Sequence, residues 1–145
     1  MAVNKNVDVT AKLMDKYKIE MKARNHTVYI DQPPAMGGED FAPTPLEYVF
    51  FALAGCICTI GKIVAAQERI DLRGIECKVE GGLNTAVLMG KSNGDRAGFQ
   101  NMKVITKIDA DMTQEEKEAF LKKVDARCPI SDNIVNGSTV EFVVE

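Results

Sequence analysis

The chain has no surplus of basic residues. Lys and Arg number 18 against 21 Asp and Glu among 145 residues, a formal net charge of -3. It therefore lacks the positive excess that neutralises phosphates, which argues against a nucleic-acid partner. Histidine is nearly absent, His26 being the only one, so there is little material for a Cys-His catalytic dyad or a histidine-containing zinc site. The four cysteines include no CxxC. Cys56-Ile57-Cys58 is a CxC, which on a helix points its two sulfurs apart, and no second close pair completes a metal site, so neither metal nor cofactor is expected. The N-terminus lacks the basic region, apolar run and small-residue cleavage site of a secretory signal, and a cytoplasmic protein is expected. In that reducing setting the cysteines read as free, catalytic or metal-binding rather than as structural disulfides. The uncharged run Tyr48–Gly61 is fourteen residues long, bounded by Glu47 and Lys62. That is too short to cross a bilayer, so a core helix is expected and no membrane. No repeat, low-complexity tract or linker divides the chain, which is read as one domain over 1–145.

Hydrophobic residues at 46% and charged residues at 27% are those of an ordinary globular protein with a sizeable core. The central stretch begins at Thr44-Pro45-Leu46-Glu47. Thr44 suits an N-cap, Pro45 the first helical position, and Glu47 closes a capping box three residues after the cap. The spacing predicts a helix from there to about Arg69. Because Tyr48–Gly61 is uncharged on every side, this part of the helix is expected to be enclosed all round, with a second chain covering part of it. Gly55 and Gly61 within it predict close approach by another element.

Before the helix, β-like runs over Val7–Leu13, Tyr17–Ala23 and Thr27–Ile30, separated by turn-prone or charged residues, predict an antiparallel meander. The Pro- and Gly-rich stretch Asp31–Asp40 reads as a loop. After the helix, Ile75–Glu80 alternates as a half-exposed strand, with Cys77 on its apolar face. Leu83–Arg96 reads as an irregular connection and Phe99–Ile108 as a strand with Met102, Val104, Thr106 and Ile108 on one face. Thr113-Gln114-Glu115-Glu116 is a second capping box, opening a helix to about Ala126. Cys128-Pro129 starts a short helix that Asn136-Gly137 ends. Thr139–Val144 alternates and predicts a closing strand.

A buried free cysteine is usually a small hydrophobe, and Cys58 and Cys77 are read as core residues. Cys58 projects about 200° around the helix axis from Cys56, so the two do not share a role. Cys128 differs in kind. It precedes a proline at a helix N-terminus, where unpaired N–H groups and the positive end of the helix dipole favour a thiolate; its other reading is a cap in a tight turn.

Pro45-Leu46-Glu47 followed by the apolar helix to Ala54-Gly55-Cys56, and the later Cys128-Pro129-Ile130-Ser131, together resemble the OsmC/Ohr family of osmotically inducible and organic hydroperoxide resistance proteins. The likeness extends in element order over roughly Thr27 to the C-terminus. It implies an α+β fold in which antiparallel sheets wrap around a long central helix, in an intertwined homodimer. It further implies a thiol-dependent peroxidase, with Cys56 peroxidatic and Cys128 resolving, an organic hydroperoxide as substrate and an external dithiol as reductant. Family members place an arginine and a glutamate around the thiol. Here Glu47 and Arg24 are the candidates, against their plainer readings as a capping residue and a solvated turn charge. The residue after Pro45, where the peroxidases carry the glutamate, is Leu46, and the loop Met36-Gly37-Gly38-Glu39-Asp40 holds acids and no arginine. The resemblance on these points is to a less characterised branch. The rival expectation is a non-enzymatic dimer that binds an apolar ligand, with Phe50, Phe51 and Leu53 as walls, or that senses redox state.

Overall fold

In the computed structural model, which describes residues 1–145, the N-terminal alternation becomes a three-stranded antiparallel meander. Its strands are β1 (Thr10–Leu13), β2 (Ile19–Ala23) and β3 (His26–Ile30), paired in that order. Ala23 opposes His26, so Arg24-Asn25 is a two-residue hairpin loop, and Arg24 takes up positive φ there, at 54°, which matches the twist of the flanking strands. The chain divides into two compact units, Met1–Val49 and Phe50–Glu145.

The loop after β3 is built on one buried carboxylate. Asp31 is 1% exposed and accepts the N–H groups of Gln32, Glu39 and Phe41 at 2.8, 3.2 and 3.0 Å. These bonds, led by that from Gln32, hold its carboxyl below the usual range. The loop closes so tightly that a Cβ on Gly38 would lie 2.0 Å from the Gln32 carbonyl oxygen, so the Gly-Gly pair is a steric requirement of this turn. A 3-10 turn at Pro34–Met36 lies within it.

The long helix α1 runs from Pro45 to Gln67. Its capping box is formed as the sequence predicts: Glu47 N–H donates to Thr44 Oγ1 at 3.3 Å, while Thr44 N–H donates to Glu47 Oε1 at 2.9 Å. Tyr48 OH donates to the Tyr29 carbonyl at 2.7 Å and ties the first turn of α1 to β3. By length and composition α1 is sufficient to cross a membrane. Leu53, Ile57, Gly61, Val64 and Ala65 are nevertheless buried in the core of the second unit, which is how a core helix is used. The expectation that Tyr48–Gly61 is enclosed on all sides is not met within this chain, because Phe51 is 57% exposed and Val49 39%.

In the second unit β4 (Gly74–Gly82) pairs with β5 (Asn101–Asp109) along its whole length, Gly74 opposite Asp109 and Gly82 opposite Asn101. Met102, Val104, Thr106 and Ile108 turn inward, as the alternation requires. The connection between the two strands, expected to be irregular, contains one short helix, α2 (Thr85–Leu88), capped by Asn84. Helix α3 (Gln114–Ala126) starts at Thr113, whose side chain accepts the Glu116 N–H, and buries Phe120 and Val124. Helix α4 (Pro129–Asn136) follows at once. Gly61 answers its prediction, since a Cβ there would lie 2.9 Å from Ile75 Cδ1 of β4; Gly55 does not, and faces open space. The closing strand predicted over Thr139–Val144 is not formed either. Val140 and Phe142 are 67% and 89% exposed, and no strand of this chain pairs with the segment, which an alternating run needs to become a strand.

Candidate active site

The corner between α3 and α4 delivers Cys128 to the side of α1. Val124, fully buried, and Phe120 seat α3 against Leu53 and Ile57 of α1 in one core. On the surface Arg127 donates to Gln67 at 2.8 Å, and Lys123 pairs with Glu68. Such exposed contacts add little energy beside the packing of Phe120 and Val124. Cys128 then stands as N-cap of α4 in an extended conformation, with Pro129 at the first helical position. Its sulfur accepts the Ser131 N–H at 3.4 Å.

The consequence is a pair of sulfurs in contact. Cys128 Sγ donates to Cys56 Sγ across 2.8 Å, seventy-two positions apart in the chain. Cys128 is 1% exposed, and Cys56 is half-buried. Burial pushes the Cys56 thiol above its ordinary value of 9.0, and the neighbouring Cys128 thiol adds to this, while the Ile130 N–H pulls the other way. Two backbone N–H groups of the first turn of α4 therefore serve the two sulfurs, Ile130 for Cys56 and Ser131 for Cys128. They are the orphan donors of a helix start, and they favour negative charge on sulfur. Of the candidate residues, Cys56 and Cys128 are thus brought together. Glu47 has its carboxylate in the capping box, where the Thr44 N–H and hydroxyl hold its pKa below 4.5. Arg24 occupies the exposed hairpin loop between β2 and β3.

A cavity of about 870 Å³ opens among α1, β5, α3 and α4, lined by neither Cys56 nor Cys128 themselves but by residues near them in the chain. Its lining includes Leu53 and Ile57, which flank Cys56 in α1, and Ser131, whose N–H faces Cys128; Met102, Val104, Leu121 and Ile134 complete the apolar wall, with Arg96, Lys122, Glu118 and Asp125 among the polar groups.

The family model for OsmC-like proteins matches residues 37–143. The chain belongs to the OsmC-like family. Solved structures agree with this OsmC-like assignment in fold. An OsmC-like protein from Mycoplasma pneumoniae superposes with a TM-score of 0.80 at 18% identity, covering 92% of this chain and 90% of that one. An organic hydroperoxide resistance protein OsmC from Legionella pneumophila gives 0.70 at 20% identity, with 94% and 93% covered. An organic hydroperoxide resistance protein from Elizabethkingia anophelis gives 0.68 at 20% identity, with 94% and 92% covered. No curated protein matches the OsmC-like chain in sequence.

Three features of this OsmC-like protein escaped sequence reasoning. The N–H groups of Ile130 and Ser131 were implicit in the Cys-Pro helix start but could not be assigned to particular sulfurs. Asp31 carried no signal beyond its place before a Pro-Gly loop. Cys58 and Cys77 are both half-buried; the periodicities put them on inward faces without saying that the faces meet.

Proposed function

We propose that this protein is a thiol-dependent peroxidase that reduces organic hydroperoxides. The observation that supports it is the 2.8 Å separation of the Cys56 and Cys128 sulfurs under the first turn of α4. The Cys56 thiolate attacks the terminal oxygen of ROOH and the O–O bond breaks. The leaving alkoxide takes a proton to become ROH, and Cys56 is left as the sulfenic acid. The Cys128 sulfur then attacks Cys56 Sγ. The sulfenic hydroxyl departs with a proton as water, and a Cys56–Cys128 disulfide remains for an external dithiol to reduce by exchange.

The raised pKa of Cys56 means that the thiol is protonated at neutral pH until a charged partner acts on it. Arg24, with Glu47 as its carboxylate partner, is proposed for that task, on the resemblance to the family. The apolar wall of the neighbouring cavity suits the organic group of ROOH. The protein is further proposed to act as a homodimer in the cytoplasm, the exposed apolar side chains of α1 and of the C-terminal segment being the surface that a second copy covers.

The test is turnover of an organic hydroperoxide with a dithiol reductant. Cys56→Ser abolishes consumption; Cys128→Ser allows a single turnover and stalls; Arg24→Ala and Glu47→Ala lower the rate and move its pH profile upward. Brief oxidation gives a Cys56–Cys128 disulfide by peptide mapping. Unchanged turnover in the Cys56→Ser protein overturns the reading.

A further inference from the structure

The face of α1 turned away from Cys56 carries a second pair of sulfurs. Cys58 Sγ lies 3.8 Å from Cys77 Sγ of β4, nineteen positions along the chain. It also donates weakly to the Ile75 carbonyl at 3.9 Å. Cys77 Sγ is 3.6 Å from the Thr106 hydroxyl of β5. Two thiols from different elements thus touch at van der Waals distance, in a pocket of hydroxyl and carbonyl groups rather than of hydrocarbon alone. Both are half-buried, not sealed in the core.

We propose that Cys58 and Cys77 are a second dithiol–disulfide site, oxidised by low-molecular-weight disulfides, which ties α1 to β4 on the side of the helix opposite Cys56. The proposal does not rest on peroxidase activity. The separation of 3.8 Å must close to a bond of about 2.05 Å. Because Cys58 and Cys56 lie about 200° apart around α1, the two pairs do not exchange with one another through the helix.

Oxidation runs in two exchanges. The thiolate of one cysteine of the pair adds to one sulfur of RSSR, the S–S bond breaks, and RS⁻ leaves as RSH on protonation. The sulfur of the other cysteine then attacks the protein sulfur of the mixed disulfide, giving up its own proton and expelling the second RS⁻, which is protonated to RSH. Two protein thiols are oxidised and one RSSR is reduced to two RSH. A bond there closes a loop from the middle of α1 to β4 and restricts the unfolded chain, so the oxidised form resists denaturant more than the reduced one.

The experiment exposes the purified, reduced full chain to oxidised glutathione, blocks the remaining thiols and digests without reduction. Trypsin leaves Cys56 and Cys58 together in peptide 25–62, Cys77 in 74–78 and Cys128 in 128–145. The second site reads out as 25–62 joined to 74–78. The proposed peroxidase pair reads out as 25–62 joined to 128–145, so the two fail separately. In the Cys56→Ser/Cys128→Ser chain both remaining thiols vanish from titration and the 25–62 to 74–78 link persists. Cys58→Ala in the otherwise unaltered chain removes that link alone, which covers the case in which the double variant does not fold. Thiols that stay titratable, or that each hold one glutathione with no cross-link, overturn the proposal.

Discussion

Cys56 and Cys58 are two positions apart and have opposite circumstances. Cys56 meets a helix N-terminus and a buried cysteine. Cys58 meets a strand cysteine and a carbonyl, and burial, with Cys77 beside it, pushes its thiol up to about 11. The sign of that shift sets a pH dependence. A thiol whose folded pKa exceeds its ordinary 9.0 contributes stability that is fully present below pH 9 and is lost as pH rises toward 11. Reduced protein is therefore expected to lose denaturant resistance across that window, and Cys58→Ala to flatten the decline. A slope that is the same with and without the Cys58 thiol would contradict this assignment. Gly38 shows the same dependence on surroundings. Its identity follows from a carbonyl 2.0 Å from where a Cβ would sit, a fact of the folded loop rather than of glycine content.

Among the elements, the helix starts were the most legible. Thr44-Pro45-x-Glu47 and Thr113-x-x-Glu116 each name their own hydrogen bonds, because a capping box is local and its donors lie within four residues of its acceptors. Cys128-Pro129 is a third start, and α4 begins where it says. Thr113→Ala removes the acceptor of the Glu116 N–H and is expected to cost about 1 kcal/mol of the stability of the second unit. Urea titration measures it, and an unchanged midpoint would show that α3 is held by the packing of Phe120 and Val124 alone. Strand alternation was equally clear for β4 and β5, where Cys77 and Thr106 fall opposite each other in the register. It misled at Thr139–Val144. A helix completes its hydrogen bonds within itself, whereas a strand borrows them from a neighbour, so a correct period of two does not make a strand by itself.

For the whole molecule, what remains uncovered is informative. Phe51, Phe142 and Val144 are 57%, 89% and 97% exposed, and Gly55 of α1 faces open space. A second copy seated on these surfaces gives native mass spectrometry at twice the chain mass at micromolar concentration, and Phe142→Asp shifts the population toward single chains. A wild-type chain that sediments as a monomer at every concentration tested would dispose of the homodimer. Were the dimer to form with Phe142→Asp unaffected, the C-terminal segment would be excluded from its interface.

The amino-acid sequence by itself determined the N-terminal meander, the capped starts of α1 and α3, the Cys-Pro helix start and the inward faces of α1, β4 and β5. Each of these is set by residues within a turn or two of one another. Tertiary structure alone decided which inward faces meet. It brought Cys128 to Cys56 across seventy-two positions and Cys77 to Cys58 across nineteen. Contact between distant sulfurs depends on how α3 packs against α1 and on the register of β4 with β5, and no local pattern encodes either distance.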